Sequence, residues 1–178
     1  GVGEAGSVAG RTVVLTIGTG VGCCVVEDGR PLGKGPLGGG LLGGQLPLTQ
    51  DGPVDTSGRA GTVEAWCRAS RIVDQVVAAG GNPSDVPECF SLFATGDAAA
   101  RDGIATYQRW LARGIAAVCL AYGPARVVIG GGPVVPDGPL LVGLQELVDP
   151  LLWSGQHVSV GPSRHGDVAA LIGLEVLS

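Results

Sequence analysis

Aromatic side chains are scarce in this sequence, at 4% of its 178 residues, so aliphatic and small side chains must fill its core. Lysine and arginine form no block and lie singly along a chain of net charge −5. A nucleic-acid surface needs clustered cations that displace counterions, so we expect no nucleic-acid binding by this segment.

The apolar runs fall far short of the roughly 20 residues that span a bilayer, and residues 1–10 lack the basic start of a signal peptide. The sequence therefore predicts a cytoplasmic chain that makes no membrane contact.

The cysteines show neither a disulfide pattern nor a metal pattern. Their number is odd, no C-x-x-C pair is present, and two of them are adjacent, so that on a strand they would point to opposite faces. We expect buried, reduced thiols, as in a cytosolic protein. The five cysteines are Cys23, Cys24, Cys67, Cys89 and Cys119.

Apolar residues make up 45% of the chain, which is enough for the core of one ordinary domain. The order of the apolar patterns predicts an antiparallel hairpin group followed by alternating helices and strands, and this favours an α/β layered domain with a mixed sheet. The predicted strands are 12–17, 23–27, a short one from residue 30, 126–129 and 157–160. The predicted helices are 62–79, a weakly signalled turn at 89–94, 97–122 with Asp97 as N-cap, 139–152, and 167–177 with Asp167 as N-cap.

The first candidate site is a glycine-rich turn. The stretch from Ile17 to Gly22 reads I-G-T-G-V-G and joins two strands, so no helix follows that could hold a phosphate as in a Walker or dinucleotide loop. Bare backbone N–H groups and the Thr19 hydroxyl could still bind phosphate oxygens. An ordinary tight turn is the alternative.

The second stretch, V-I-G-G-G-P from Val128 to Pro133, ends an apolar strand. Ligands in open α/β sheets lie at the carboxyl ends of strands, and an adenosine could lie against such bare backbone. A strand that ends in a flexible loop is the alternative here.

Taken together and in this order, the two stretches resemble the second phosphate motif and the adenosine motif of the actin-like ATPase superfamily. More narrowly, nearly the whole chain is similar to the C-terminal part of ROK proteins, which are sugar kinases and transcriptional repressors. The matching pieces are T-V-V-L-T-I-G-T-G-V-G, V-E-D-G-R-P-L, G-G-Q-L-P-L, G-R-A-G-T-V-E-A, A-R-V-V-I-G-G-G and G-D-V-A-A-L-I-G.

The resemblance implies ATP-dependent phosphorylation of a hexose hydroxyl, with Mg²⁺ shielding the phosphates. It implies that residues 1–178 form one C-terminal lobe with an actin-like ATPase (ribonuclease H-like) fold, and that the lobe carrying the catalytic Asp is absent. We therefore expect this chain to be inactive by itself. The nucleotide-binding residues implied are Gly18, Thr19, Gly20, Gly22, Gly130, Gly131 and Gly132, and those implied for the sugar are Gln45 and Glu64.

The chain departs from the family pattern in residues 35–61, a glycine-rich stretch followed by a degenerate zinc and sugar loop. The family segment that grips the sugar with a Glu and a Gly-His pair is Gln45-Leu46-Pro47-Leu48 here, so Gln45 carries no charge and Leu48 replaces a histidine that ligates zinc in the family. Residues 55–62 stand where the family has a cysteine-rich zinc loop, and they contain no thiolate. Structural zinc needs about four soft or imidazole ligands, so we predict no zinc.

Other polar residues have plainer interpretations. Glu64 could contact the sugar, or it could favour the helix by its position in the first turn. His157 and His165 lie outside every matched motif and are expected to be surface or strand residues rather than ligands or bases. Asp137 could face a ribose, and helix capping is the preferred interpretation.

The losses in the sugar loop also leave a second class of function open, the non-catalytic sugar-sensing or structural body of a ROK-type regulator. The expected partners are a small-molecule sugar and either the missing lobe or a second copy of the chain. A homodimer is expected because the apolar face of the predicted last helix would be uncovered without that lobe. That face comprises Val168, Leu171, Ile172, Leu174 and Val176.

Overall fold

The computed structural model describes residues 10–32 and 43–163. The predicted helix 167–177, its apolar face and His165 lie outside the described residues, as does the glycine-rich stretch 35–42. Every structural statement below concerns the described part of the chain.

The chain opens with the predicted antiparallel hairpin. Strand β1 (Arg11–Ile17) pairs along its whole length with β2 (Val21–Glu27), and a two-residue strand β3 (Arg30–Pro31) extends the ladder. Asp28 and Gly29 connect β2 to β3 with φ of 49° and 78°. Positive φ at both central residues is the geometry that a two-residue hairpin favours, so the Asp-Gly signal correctly predicted this turn.

Two further strands complete a five-stranded mixed sheet of order β3-β2-β1-β4-β5. Strand β4 (Arg126–Gly130) runs parallel to β1, and β5 (Ser159–Pro162) runs parallel to β4. The α/β class with a mixed sheet is therefore confirmed. Because β1, β4 and β5 run in one direction, their carboxyl ends lie at one edge of the sheet.

One long helix supplies much of the core. It begins after Asp97, whose carboxylate accepts a hydrogen bond from the Ala100 N–H, and it ends at Gly123 in the left-handed conformation, as predicted.

None of the described helices is both long enough and apolar enough to cross a membrane. The helices are α1 (Val63–Cys67), α2 (Ser70–Ala78), α3 (Val86–Thr95), α4 (Ala98–Tyr122) and α5 (Leu144–Val148).

The prediction of one helix over 62–79 is wrong, because the chain breaks into α1 and α2. Arg68 is extended between them (ψ 155°), and the next residue, Ala69, donates its N–H to the Gly18 carbonyl at 2.9 Å. The buried Tyr107 hydroxyl donates to the Cys67 carbonyl at 2.6 Å. In a continuous helix, the Ala69 N–H and the Cys67 carbonyl would have bonded within the helix. Here the Gly18 carbonyl and the Tyr107 hydroxyl are their partners instead.

The predicted helix 139–152 is also wrong in its first third. Residues 139–143 form turns, and the Gln108 side chain donates to the carbonyls of Pro139 and Val142. Asp137 sits in a turn with φ 56° and no described helix begins there, so capping is not its role. The predicted strand 157–160 is shifted to Ser159–Pro162, and His157 precedes it on the surface.

Candidate functional site

The two predicted glycine turns lie side by side at the carboxyl edge of the sheet. Thr16, near the end of β1, pairs with Gly130, the last residue of β4. A Cβ on Gly131 would lie 1.9 Å from the Ile17 carbonyl oxygen, so only glycine permits this approach. The parallel pairing of β1 with β4 therefore brings together two segments that are far apart in sequence.

The first turn contains backbone donors that are unused within the described part of the chain. The Gly18 N–H donates to the Gly20 carbonyl at 2.9 Å, which closes the turn, while the Gly18 carbonyl accepts from Ala69. Within the described residues, the N–H groups of Thr19 and Gly20 have no protein acceptor. Gly22 lies one step away from the turn, inside β2 and opposite Thr16.

The second turn is open at its end. Gly130 is buried, Gly131 has φ of 109°, and Gly132 is exposed with nothing within 4 Å of the position of a Cβ. Ser163, directly after β5, donates its N–H to the Ile129 carbonyl at 2.7 Å, and its side chain lies 3.4 Å from the Cβ position of Gly130. Ser163 was not predicted, because only the β4–β5 pairing shows that it lies at this edge.

A cleft lies along β5, the strand that pairs with β4. Pro162, which pairs with Ile129, forms part of its wall. Its only charged lining residue among those described is Asp137, which sequence reasoning had taken for a helix cap. The lining residues are Asp137, Leu141, Val142, Leu144, Val160, Gly161 and Pro162.

Glu64 connects the first glycine turn to the 55–62 loop. It lies in the first turn of α1 and is only 7% exposed. One carboxylate oxygen accepts the Val21 N–H at 3.2 Å, and the other accepts the Thr56 N–H at 2.9 Å together with the Thr56 hydroxyl. Burial and the Asp55 charge raise the pKa of Glu64, but the hydrogen bonds from Thr56 and Val21 outweigh them and lower it. The structure therefore gives Glu64 a bridging role that sequence reasoning missed.

Gln45 is the second predicted sugar contact, and it ends a short 3₁₀ turn (Gly43–Gln45). A Cβ on Gly44 would lie 2.3 Å from the Val21 carbonyl oxygen, so this turn packs tightly against β2. The Gln45 side-chain amide lies 3.2 Å from the Ser57 hydroxyl. Gln45 and Glu64 are thus both attached to the 55–62 loop.

Asp55 is the centre of that loop and is 5% exposed. One of its oxygens accepts from the Ser57 N–H, the Ser57 hydroxyl and the Arg59 N–H at 2.8–2.9 Å, and the other accepts the Thr62 hydroxyl at 2.8 Å. Burial alone would raise the pKa of Asp55, but these four hydrogen bonds together lower it to about 2. The D-x-S spacing, which is typical of an Asx turn, is the local signal that could have predicted part of this cluster.

The residues of the 55–62 loop do not fit the zinc ion that the resemblance implies. The described residues contain no group of three or more His, Cys, Asp or Glu that could hold a metal ion. The polar side chains facing Asp55 are the neutral hydroxyls of Ser57 and Thr62, which are not the imidazole or thiolate ligands of structural zinc. Leu48, at the position of the family histidine, offers no ligand atom.

Comparison with known proteins gives a consistent match. The ROK family model matches residues 2–178. An N-acetylmannosamine kinase from Pasteurella multocida (strain Pm70) is 30% identical over 161 residues, which cover 90% of this chain and 53% of that protein. The chain therefore spans about half the length of the curated relative it matches.

Solved structures show the same fold. The ROK hexokinase from Thermus thermophilus superposes with a TM-score of 0.80 at 31% identity, over 96% of this chain and 60% of that one. A ROK family transcriptional regulator, a homologue of the Escherichia coli MLC protein, superposes with a TM-score of 0.68 at 25% identity, over 84% and 41%. The predicted actin-like ATPase fold is confirmed by these neighbours.

Proposed function

Because the chain belongs to the ROK family, we propose that it is the nucleotide- and sugar-binding lobe of an ATP-dependent sugar kinase. The observation that carries this proposal is the contact between the two glycine turns, where Gly131 lies against the Ile17 carbonyl at the carboxyl edge of the sheet. Relatives at 30% identity that span about twice this length are sugar kinases, so the rest of the enzyme is proposed to lie in a second lobe.

The triphosphate is proposed to bind between the two turns. The free N–H groups of Thr19 and Gly20 would donate to phosphate oxygens, and Gly131 and Gly132 would let the nucleotide approach the backbone. Mg²⁺, when bound with ATP, would neutralise charge that develops on the phosphates. The cleft beside β5 offers aliphatic walls for an adenine and the Asp137 carboxylate for ribose hydroxyls.

The sugar is proposed to bind at Gln45 and Glu64. The amide of Gln45 can exchange hydrogen bonds with hydroxyl groups in either direction, and Glu64 uses three of its roughly four acceptor positions within the protein, which leaves one for a sugar hydroxyl.

Neither Gln45 nor Glu64 is suited to accept the substrate proton. Gln45 has no basic atom, and a carboxylate with a lowered pKa is a weak general base. We therefore propose that this chain binds substrates but does not transfer phosphate by itself.

Isothermal titration of the chain with Mg²⁺–ATP tests the nucleotide proposal. A Cβ on Gly18 would meet nothing within 4 Å, so Gly18→Val should fold normally while its side chain crowds the phosphate donors. We expect wild-type protein to bind and Gly18→Val to lose at least about tenfold in affinity, which corresponds to about 1.4 kcal/mol.

Ala121→Val is the matched control. It adds similar bulk on an exposed part of α4, next to Tyr122, whose carbonyl is held by Arg11 at the opposite edge of the sheet. Absence of binding by the wild type, or equal affinity of Gly18→Val, would contradict the proposal.

A regulator body is the second candidate, and a specific observation favours it. The uncharged Gln45 and the apolar Leu48 replace the family's sugar-gripping Glu and His, and a ROK regulator shares the fold. An ADP-release assay with a panel of hexoses on the chain together with the proposed second lobe separates the two. Turnover supports the kinase, whereas sugar binding without turnover supports the regulator.

A further inference from the structure

The polar cluster around Asp55 contains none of the residues proposed to bind the nucleotide, yet it connects both proposed sugar contacts. We propose that the Asp55 carboxylate is a positioning residue that fixes the 55–62 loop, and through it Gln45 and Glu64, by hydrogen bonds in place of a metal ion. The effect on sugar binding rests on the proposed function, whereas the effect on the loop does not.

The first step is local. Asp55 accepts the backbone N–H groups of Ser57 and Arg59, both at 2.9 Å, so its carboxylate closes the turn from inside. The Asp55 backbone meets Arg59 again, since its N–H donates to the Arg59 carbonyl at 2.9 Å. Val54 and Ala60 form an isolated antiparallel bridge just outside this turn. Because the carboxylate is charged, its hydrogen bonds are stronger than those of a neutral acceptor.

The second step leads to Glu64 through the start of helix α1. The Thr62 hydroxyl donates to Asp55 and accepts the Ala65 N–H at 3.1 Å, so Asp55 orients the hydroxyl that caps the helix. Glu64 lies in the first turn of this helix and returns to the loop through Thr56, the residue after Asp55. Asp55 thus holds Glu64 from both sides, through Thr62 and through Thr56.

The third step leads to Gln45 through Ser57. A hydroxyl has one proton, and the Ser57 hydroxyl lies closer to the Asp55 carboxylate (2.8 Å) than to the Gln45 amide (3.2 Å). The charged carboxylate therefore takes the proton. The Gln45 Oε1 atom faces Ser57 in the structure, so the amide must exchange its oxygen and NH₂ positions before the Ser57 oxygen can accept from it. In this arrangement Gln45 is oriented by a chain that ends on Asp55.

Competition with a metal ion is disfavoured by the same contacts. Four donors surround the Asp55 carboxylate, and all four come from the loop itself. A cation would have to displace them, and the loop provides no thiolate or imidazole to complete its coordination. The loop residues thus take the structural role of a metal ion, because Ser57, Arg59 and Thr62 are all held against one carboxylate.

Amide hydrogen exchange on the ligand-free chain tests the loop directly. We expect the Ser57 and Arg59 amides to be protected, and Asp55→Asn to speed their exchange at least about tenfold, because their charge-assisted hydrogen bonds to the carboxylate are lost. Asp51→Asn removes the same charge from an exposed position four residues before Asp55 and should leave exchange unchanged. EDTA should also leave the wild-type pattern unchanged. Fast exchange in the wild type, or loss of protection in EDTA with zinc bound stoichiometrically, would overturn the proposal.

Two substitutions of Thr62 distinguish a positioning role of Asp55 from packing alone. Thr62→Ser keeps the hydroxyl and should retain protection of the Ala65 amide, whereas the isosteric Thr62→Val removes the acceptor of that amide and should speed its exchange. Under conditions where all variants remain folded by circular dichroism, Asp55→Asn and Thr62→Val should weaken sugar affinity at least about tenfold more than Thr62→Ser does. If the exchange pattern holds and the wild type binds no sugar, the proposed function fails and the Asp55 assignment stands. If sugar binds equally to all variants, the positioning role is wrong.

Discussion

Glu64 shows how a single carboxylate can serve two parts of the site. Its oxygens bridge the Val21 N–H, at the end of the first glycine turn, to Thr56 in the 55–62 loop. A Cβ on Gly20 would lie 2.7 Å from the nearer oxygen, so any other residue there would push the carboxylate from its present position. A sugar that drew Glu64 away from Val21 would free another donor next to the proposed phosphate site, so the two proposed subsites are joined by one side chain.

The protonation of Asp55 gives a prediction at the same scale. Its pKa is lowered to about 2 in the folded protein, against an ordinary value of about 3.9 for the unfolded chain. A group with a lowered folded pKa stabilises the protein above its unfolded pKa, and this contribution is lost as pH falls through the folded pKa. We therefore expect urea denaturation to give wild type an advantage of about 1–3 kcal/mol over Asp55→Asn at pH 7.

That advantage should shrink as the pH falls from about 4 towards 2, because the carboxylate becomes protonated. Asp51→Asn, measured in parallel, should stay close to wild type throughout, since Asp51 is exposed. A gap between wild type and Asp55→Asn that stays constant over this range would mean that the charge of Asp55 does not stabilise the loop.

Among the elements, α4 is packed so closely that it uses glycine as a contact surface. A Cβ on Gly103 would lie 2.5 Å from the Val76 Cα of helix α2. A Cβ on Gly114 would instead meet side chains, Cys67 Sγ and a Val63 methyl group, both at 3.1 Å. The first contact is with backbone and cannot be relieved without moving a helix, whereas side chains can shift by a few tenths of an ångström.

We predict that Gly103→Ala lowers the free energy of unfolding by about 1–3 kcal/mol, because overpacking outweighs the gain in helix propensity of about 1 kcal/mol. Gly114→Ala should lie close to wild type, since the milder contact and the propensity gain offset each other. Thermal or urea denaturation of the two variants measures the difference. Equal stability of both would show that α2 and α4 are not held at the distance seen here.

The elements also show what local sequence could and could not predict. Asp28-Gly29 and Asp97 were read correctly because a hairpin turn and an N-cap depend on residues a few positions apart. The break after Cys67 could not be read, since it depends on Tyr107 and on the Gly18 carbonyl, which are distant in sequence. The turns at 139–143 depend in the same way on Gln108.

At the scale of the whole molecule, sheet topology determines what the candidate site contains. The family resemblance predicted that the two glycine turns act together, and the parallel pairing of β1 with β4 makes them neighbours. Ser163 and the cleft along β5 join them only because β5 pairs with β4 in parallel, which no local pattern indicates. The Asp55 cluster is intermediate, since its turn is local but its connection to Glu64 passes through a helix start.

The central claim is that both glycine turns contact one nucleotide, and amide chemical shifts measured during titration with a Mg²⁺-bound, non-hydrolysable ATP analogue test it most directly. The amides of Thr19 and Gly20 and those of Gly131 and Gly132 should shift together with one shared dissociation constant. Gly123, beyond the end of α4, should not move. Shifts confined to one turn, or two different dissociation constants, would contradict the account.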